Sequence, residues 1–177
     1  MKTMHLSDDP GGPVLVEDRV PMPVPGEGEL LIRVQAAGIT TTELGWYPTT
    51  HTKGGEARRG AVPVHEFSGV VADGPEAGQE VFGMNDWYAD GALAEYCTAP
   101  AAAVAAKPTR LTHEEAASVP IGALTAWQGL YDRAKLKPGE RVLVHGGSGA
   151  VGVFAIQLAR IRGAHVIATA SGHGSRL

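Results

Sequence analysis

The sequence predicts a mixed α and β chain in two parts, a β-rich stretch over residues 1–111 and a shorter α/β stretch over residues 112–177. Three observations predict it. Up to about Pro108, short apolar and β-branched runs are broken by Gly and Pro, with no long helical period. At Thr112 the spacing of apolar residues becomes helical, behind the capping sequence THEE. Residues 141–170 then read as a strand, a glycine turn, a helix and a second strand.

Taken in order, VLVED and LLIRVQAAG are the clearest early strands. In the second, Leu30, Ile32, Val34 and Ala36 alternate with Leu31, Arg33 and Gln35, the period of a strand with two unlike faces. Between them PMPVPGEGE holds three prolines, which lack the N–H that a central strand must donate, so it is a surface connection. Residues 40–60 are polar, aromatic in the middle and rich in turn formers, which predicts a long functional loop with one helical turn over residues 42–46. FSGVVADG and QEVFGM follow as two strands. DGALAEYCTA alternates Leu93, Glu95 and Cys97 against Ala94 and Tyr96 as another.

In the second part Thr112 is the expected N-cap and Glu115 the residue reaching back, opening a short helix that stops before Pro120. GALTAWQGLYDRA is a second helix, with Leu124, Trp127, Gln128 and Tyr131 at helical spacing. RVLVH is a β-branched strand, and GSGAVG follows it at once. VFAIQLARIR then carries a helix whose inner face is expected to be Val151, Phe154, Ala155 and Leu158. Gly163 stops it and HVIATA resumes a strand.

A glycine triplet between a strand and a helix is the context of a dinucleotide fingerprint. On that reading Gly147 allows the tight turn, Gly149 lets backbone approach a pyrophosphate, and Gly152 lets the helix pack on the strand. Ser148, Ala150 and Val151 complete the turn, and the helix N-terminus offers unpaired N–H groups to the phosphates. The charge distribution agrees. From Arg141 onward there are four arginines and no acid, whereas eleven basic and nineteen acidic residues precede them, for a net charge of −4. That balance argues against a general nucleic-acid binder. The longest apolar runs are too short for a membrane span, and the N-terminus lacks a signal-peptide core, so a cytoplasmic location is expected. Cys97 is the single cysteine, so neither an internal disulfide nor a cysteine-cluster metal site forms within the chain.

The order and spacing of QAAGI (35–39), VHEFSGVV (64–71), GALAEY (91–96), AASVPIGALTAWQGL (116–130), KPGERVLVHGGSGAVG (137–152) and HVIATAS (165–171) resemble the medium-chain dehydrogenase/reductase superfamily, in its zinc-independent quinone oxidoreductase branch. The resemblance implies an N-terminal GroES-like β-barrel domain, then the beginning of a truncated Rossmann domain that ends after one βαβ unit, with the active site in the cleft between the two. Zinc-dependent relatives hold catalytic zinc through a Cys, a His and a further Cys or His. Here those positions correspond to Thr40, His65 and Ile121, so no zinc is expected, and His65 is expected to be a hydrogen-bonded structural remnant.

The implied activity is NADPH-dependent hydride transfer to a quinone or an activated alkene. Thr125 corresponds to a position at the nicotinamide end. Tyr47 is the candidate proton donor, and Thr40, Trp46, His65, Trp87 and Tyr88 are candidate cleft residues, the aromatic ones alternatively forming an apolar wall. No acid lies about 20 residues beyond the glycines, where NAD enzymes hold the ribose hydroxyls. Ser171, His173, Ser175 and Arg176 stand there instead and favour NADPH over NADH. Two strands and one helix leave apolar surface uncovered, so a second copy or a complementing C-terminal half is the expected partner alongside a small-molecule substrate. The alternative is a noncatalytic chain that folds or binds cofactor only by such association.

Overall fold

The computed structural model describes residues 1–9, 12–40 and 42–172. Two compact units divide the chain, Met1–Pro120 and Ile121–Leu177. In the first, β1 (Lys2–Asp9) and β2 (Gly12–Arg19) pair as an antiparallel hairpin. β3 (Glu29–Gly38), β4 (Glu66–Val71), β5 (Glu80–Met84), β6 (Tyr96–Pro100) and β7 (Val104–Ala106) form an antiparallel sheet of order β6-β3-β4-β5-β7. The proline connection is irregular, as its missing donors require. β3 lies between β6 and β4, and Leu31 and Ile32, on its opposite faces, are both buried, so this stretch of the strand is covered on both sides.

Ile32, Val64, Phe67, Val71, Val81, Ala92, Cys97 and Ala99 make the core of this unit. The strand expected to begin at Leu93 begins at Tyr96. The residues before it bond to the hairpin instead: Leu93 O accepts from Met4 N–H at 2.9 Å, and Glu95 N–H donates to Lys2 O at 3.0 Å. The long loop contains a 3₁₀ turn (Glu43–Gly45) and the four-residue helix α1 (Tyr47–Thr50).

Helix α2 (His113–Ala117) has the anticipated capping box, with Thr112 Oγ1 accepting from Glu115 N–H and the Glu115 carboxylate accepting from Thr112 N–H. It packs on β3, β4 and β5, and His113 Nδ1 lies 2.7 Å from the Ser68 hydroxyl. These contacts keep α2 with the first compact unit, which runs to Pro120.

The second unit begins with α3 (Pro120–Trp127), which runs into a π-helical turn (Gln128–Arg133) where the sequence suggests a continuous α-helix. There Tyr131 stacks edge-on with Trp127 and donates its hydroxyl to Leu158 O at 2.7 Å. β8 (Arg141–His145) and β9 (His165–Thr169) pair in parallel, joined through α4 (Gly152–Ile161). Ala126, Val144 and Ala155 form a core, packed by Phe154, Ile156, Leu158 and Val166. The buried face of α4 is therefore Gly152, Ala155 and Ala159; Val151, assigned to it from periodicity, is 38 % exposed. The other face of the sheet is open, with Leu143 57 % and Ile167 51 % exposed. Parallel strands are ordinarily covered on both faces.

Candidate active site

The glycine turn is the more sharply built of two candidate regions. Gly146 takes φ 71°, a left-handed conformation that only glycine adopts without strain, so it makes the tight turn that the triplet reading gave to Gly147. Gly147 is required for another reason. A Cβ there would lie 2.9 Å from both Ala168 Cβ and Ile156 Cδ1. At Gly152 a Cβ would overlap the Gly146 carbonyl oxygen and approach Gly147 Cα to 2.8 Å, so the start of α4 sits directly on the turn. Gly149 is open, its nearest neighbour being Gly146 O at 3.3 Å.

Gly147 N–H donates to Thr169 O, Gly149 N–H to Gly146 O, and Val153 N–H to Gly149 O. Ala155 N–H donates to Val151 O as well, so the first turn of α4 is partly bonded back into the glycine turn, and Ser148, Ala150 and Val151 lie at its N-terminal end. The backbone fits a pyrophosphate: an open glycine, a helix N-terminus and no acidic residue. Helix α3 abuts the same turn, since a Cβ on Gly122 would meet Ala150 O at 2.5 Å and the Phe154 ring at 2.9 Å. Thr125 is exposed on α3, and Ser171 is exposed just beyond β9. His173, Ser175 and Arg176 lie outside the described residues.

The other region belongs to the first unit and centres on His65. Glu43, fully buried, accepts the backbone N–H of His65 at 2.9 Å and of Thr40 at 3.3 Å, so one carboxylate gathers both candidates. Burial raises the Glu43 pKa against the lowering effect of those two amides. Arg58 draws the two loops together, donating to Pro48 O at 2.7 Å and Ala89 O at 3.0 Å and pairing with Asp90 at 3.1 Å. The result is an aromatic row: Trp46 lies 5.7 Å from Trp87, and Trp87 lies 5.2 Å from the His65 ring, centroid to centroid.

Tyr47 stands apart from this row. It is 53 % exposed and stacked on His51 at 4.6 Å. Tyr88, in the turn beside Trp87, packs under Lys53 Nζ.

Thr40 Oγ1 is buried without a hydrogen bond, whereas His65, fully buried, has the Asn85 side chain within hydrogen-bonding reach. Burial chiefly lowers its pKa; the nearby Asn85 side chain opposes this, Arg58 adds to it and Asp86 opposes it. Val64, immediately before it, is buried at φ 77°, a strain of about 1–3 kcal/mol for a β-branched residue.

The zinc position does not fit a tetrahedral site. Among the described residues no three His, Cys, Asp or Glu side chains gather to hold a metal, and Thr40 offers a neutral hydroxyl where a thiolate would be needed.

Sequence reasoning missed Glu43, Arg58, Asn85 and Gly146. Glu43 had a readable signal, since Thr40-x-x-Glu43 has the same spacing as the capping box at Thr112.

Residues 26–109 match the alcohol dehydrogenase GroES-like domain, and the relatives and solved structures that the chain resembles are medium-chain dehydrogenase/reductase proteins of the quinone oxidoreductase and enoyl reductase type. It is 36 % identical over 170 residues to the probable zinc-binding mitochondrial oxidoreductase of Arthroderma benhamiae, covering 88 % of this chain and 50 % of that protein. The quinone oxidoreductase of Thermus thermophilus, also solved with NADPH, superposes with a TM-score of 0.75 at 34 % identity, over 97 % of this chain and 54 % of that one. The CurK enoyl reductase superposes with a TM-score of 0.80 at 28 % identity, over 97 % and 55 %. The chain thus spans about half the length of these relatives. Among the described residues no helix is long and apolar enough to cross a membrane.

Proposed function

We propose that the protein takes part in NADPH-dependent, zinc-independent reduction of a quinone or an enone. The observation that carries this reading is the seat of Gly152 on Gly146 and Gly147, which places the first turn of α4 over an open Gly149. The reduced nicotinamide, when bound, supplies the hydride. The residues of this chain supply the rest. Amides around Ser148 and Ala150, with the α4 dipole, hold the pyrophosphate, and Thr125 is assigned to the nicotinamide end. Ser171 and Arg176, with no acid nearby in sequence, are assigned to a 2′-phosphate. Thr40, Trp46, His65, Trp87 and Tyr88 are assigned to the substrate cleft, where a flat, neutral acceptor suits the aromatic row.

Tyr47 remains the assigned proton donor on the resemblance, although its stacking on His51 in an exposed position favours solvent as the source. Oxidation of NADPH followed with p-benzoquinone and with 2-cyclohexen-1-one tests the reading. Turnover with either supports it and names the acceptor class; turnover with neither by a folded chain that binds NADPH leaves only a binding role.

A second reading rests on Leu143 and Ile167, exposed on one face of the β8–β9 sheet. On it the chain acts only with a second copy or a complementing C-terminal half covering that face. Mass in solution separates the two readings, since a monomer that turns over NADPH excludes the second.

A further inference from the structure

The outer strand of the five-stranded sheet has an edge that the fold leaves open. β6 stands at one end of the order β6-β3-β4-β5-β7, so its main chain pairs with β3 on one side only. Leu31 O accepts from Ala72 N–H on the β4 side, and Val34 N–H donates to Glu95 O, so the even-numbered residues of β3 turn toward β6. In the register that sets Ile32 opposite Cys97 and Leu30 opposite Ala99, it is Cys97 and Ala99 that answer them. Tyr96 and Thr98 therefore direct their N–H and C=O groups outward, and among the described residues nothing hydrogen-bonds to them there.

Both ends of this edge are closed. Before it the β1–β2 hairpin takes the same side, with Met4 N–H on Leu93 O and Glu95 N–H on Lys2 O. After it comes Pro100, opposite Glu29, at a position whose nitrogen faces outward and has no hydrogen to offer. The open length is Tyr96 to Thr98, about 10 Å of extended chain.

A cavity of about 550 Å³ lies along this edge, between it, the hairpin and the proline connection. It touches Tyr96, Cys97 and Thr98 in succession. Side chains of a strand alternate between its faces, so contact with three in a row is contact with the edge. Val20, Met22 and Val62 supply apolar wall. Asp18 and Asp90, both exposed, make the cavity acidic. Asp90 is held by Arg58 at 3.1 Å. Asp18 Oδ1 accepts the adjacent Arg19 N–H, while its Oδ2 has His5 Nδ1 at 3.8 Å, beyond hydrogen-bonding distance.

We infer that this groove binds an extended, basic peptide segment of a partner protein, which joins the sheet as an added strand beside β6. The segment's main chain meets the outward N–H and C=O groups of Tyr96 and Thr98. One of its side chains, Lys or Arg, reaches the Asp18 carboxylate, and an apolar neighbour pointing the other way lies on Val20 and Met22. The groove belongs wholly to the first unit, so it is independent of the glycine turn and of the proposed reduction.

The test uses the full chain labelled with ¹⁵N and titrated with the capped peptide acetyl-Thr-Val-Arg-Val-Thr-amide. The expected result is a saturable shift of the Tyr96 and Thr98 amide resonances, with exchange of those amides slowed at least about ten-fold. N-methylation of the peptide at Arg and the preceding Val removes one donor to β6 in either register and should weaken binding at least about ten-fold. Exchanging the peptide's Arg for Glu should weaken binding too, and Asp18→Asn should narrow that difference. Thr98→Pro deletes one outward N–H without touching the pairing with β3 and should abolish binding. If that variant fails to fold, the N-methylated peptide on the unaltered chain decides. Silent Tyr96 and Thr98 amides at millimolar peptide, equal binding of the N-methylated peptide, or no preference for Arg over Glu would each overturn the inference. Shifts of the same amides with protein concentration alone would assign the edge to a second copy of the chain and overturn it as well.

Discussion

Replacing Gly152 with alanine separates a packing role in the glycine turn from a ligand-approach role. The added Cβ would overlap the Gly146 carbonyl oxygen and lie 2.8 Å from Gly147 Cα and 2.9 Å from Gly146 C, all backbone atoms that cannot swing away. Overpacking of this sort costs about 1–3 kcal/mol. Alanine's better helix propensity returns about 0.5–1 kcal/mol, so a net loss of about 1–2 kcal/mol is expected for the second unit. The turn must move to admit the methyl, and NADPH affinity should fall by more than about ten-fold, the equivalent of 1.4 kcal/mol.

Gly149→Ala provides the contrast. Its Cβ meets a single atom, Gly146 O, at 3.3 Å, and its φ is not left-handed. Stability should change by no more than about 0.5 kcal/mol, while the methyl occupies the approach of the pyrophosphate and binding falls. Urea unfolding followed by the fluorescence of Trp127, together with an NADPH titration, measures both quantities. A Gly152→Ala chain as stable as the parent, or a Gly149→Ala chain that binds NADPH unchanged, refutes the assignment of roles.

Other expectations follow from single residues. Cys97 is buried and burial pushes its thiol up to about 12, so it should resist alkylation at neutral pH until the chain unfolds; rapid labelling under native conditions contradicts its place in the core. Thr112→Ala removes the side-chain half of the α2 capping box and should lower stability by about 1 kcal/mol, with Thr112→Ser retaining most of it in thermal or urea unfolding. Stability should also depend on His65 as pH falls. Its folded pKa lies below the unfolded value of 6.5, so the unfolded chain takes up the proton first. The stability tied to the neutral ring is full above that value and is lost as pH drops through the folded pKa. Unfolding midpoints measured between about pH 7.5 and 5 should fall more steeply for the parent than for His65→Phe.

The βαβ unit was legible because every local signal agreed: a β-branched run, glycines, a 3.6-residue period and a second strand at the expected distance. The capping box at Thr112 was legible for the same reason, since both partners are local in sequence. The paired glycines at 146 and 147 were harder. Their sequence says that one of them turns and one of them packs, and only the backbone φ assigns which. β1 has weak alternation of its own and exists by pairing with β2, a non-local decision.

The His65 region was half legible. Of its aromatic residues Trp46 and Trp87 meet beside the His65 ring, whereas Tyr47 stacks on His51 and Tyr88 lies under Lys53. The polar ties that hold it were not foreseen, because Arg58 and Glu43 bind the loops together from distant positions. The π-helical turn after Trp127 escaped notice too, since Tyr131 sits there for a tertiary bond to Leu158 O.

The most direct measurement of the central claim is a titration of the full chain with NADPH and with NADH, followed by nicotinamide fluorescence. A saturable enhancement, tighter for NADPH, is predicted by the turn of residues 146–152 and the absence of an acid after β9. No enhancement with either nucleotide, in a sample whose circular dichroism shows it folded, would contradict the account.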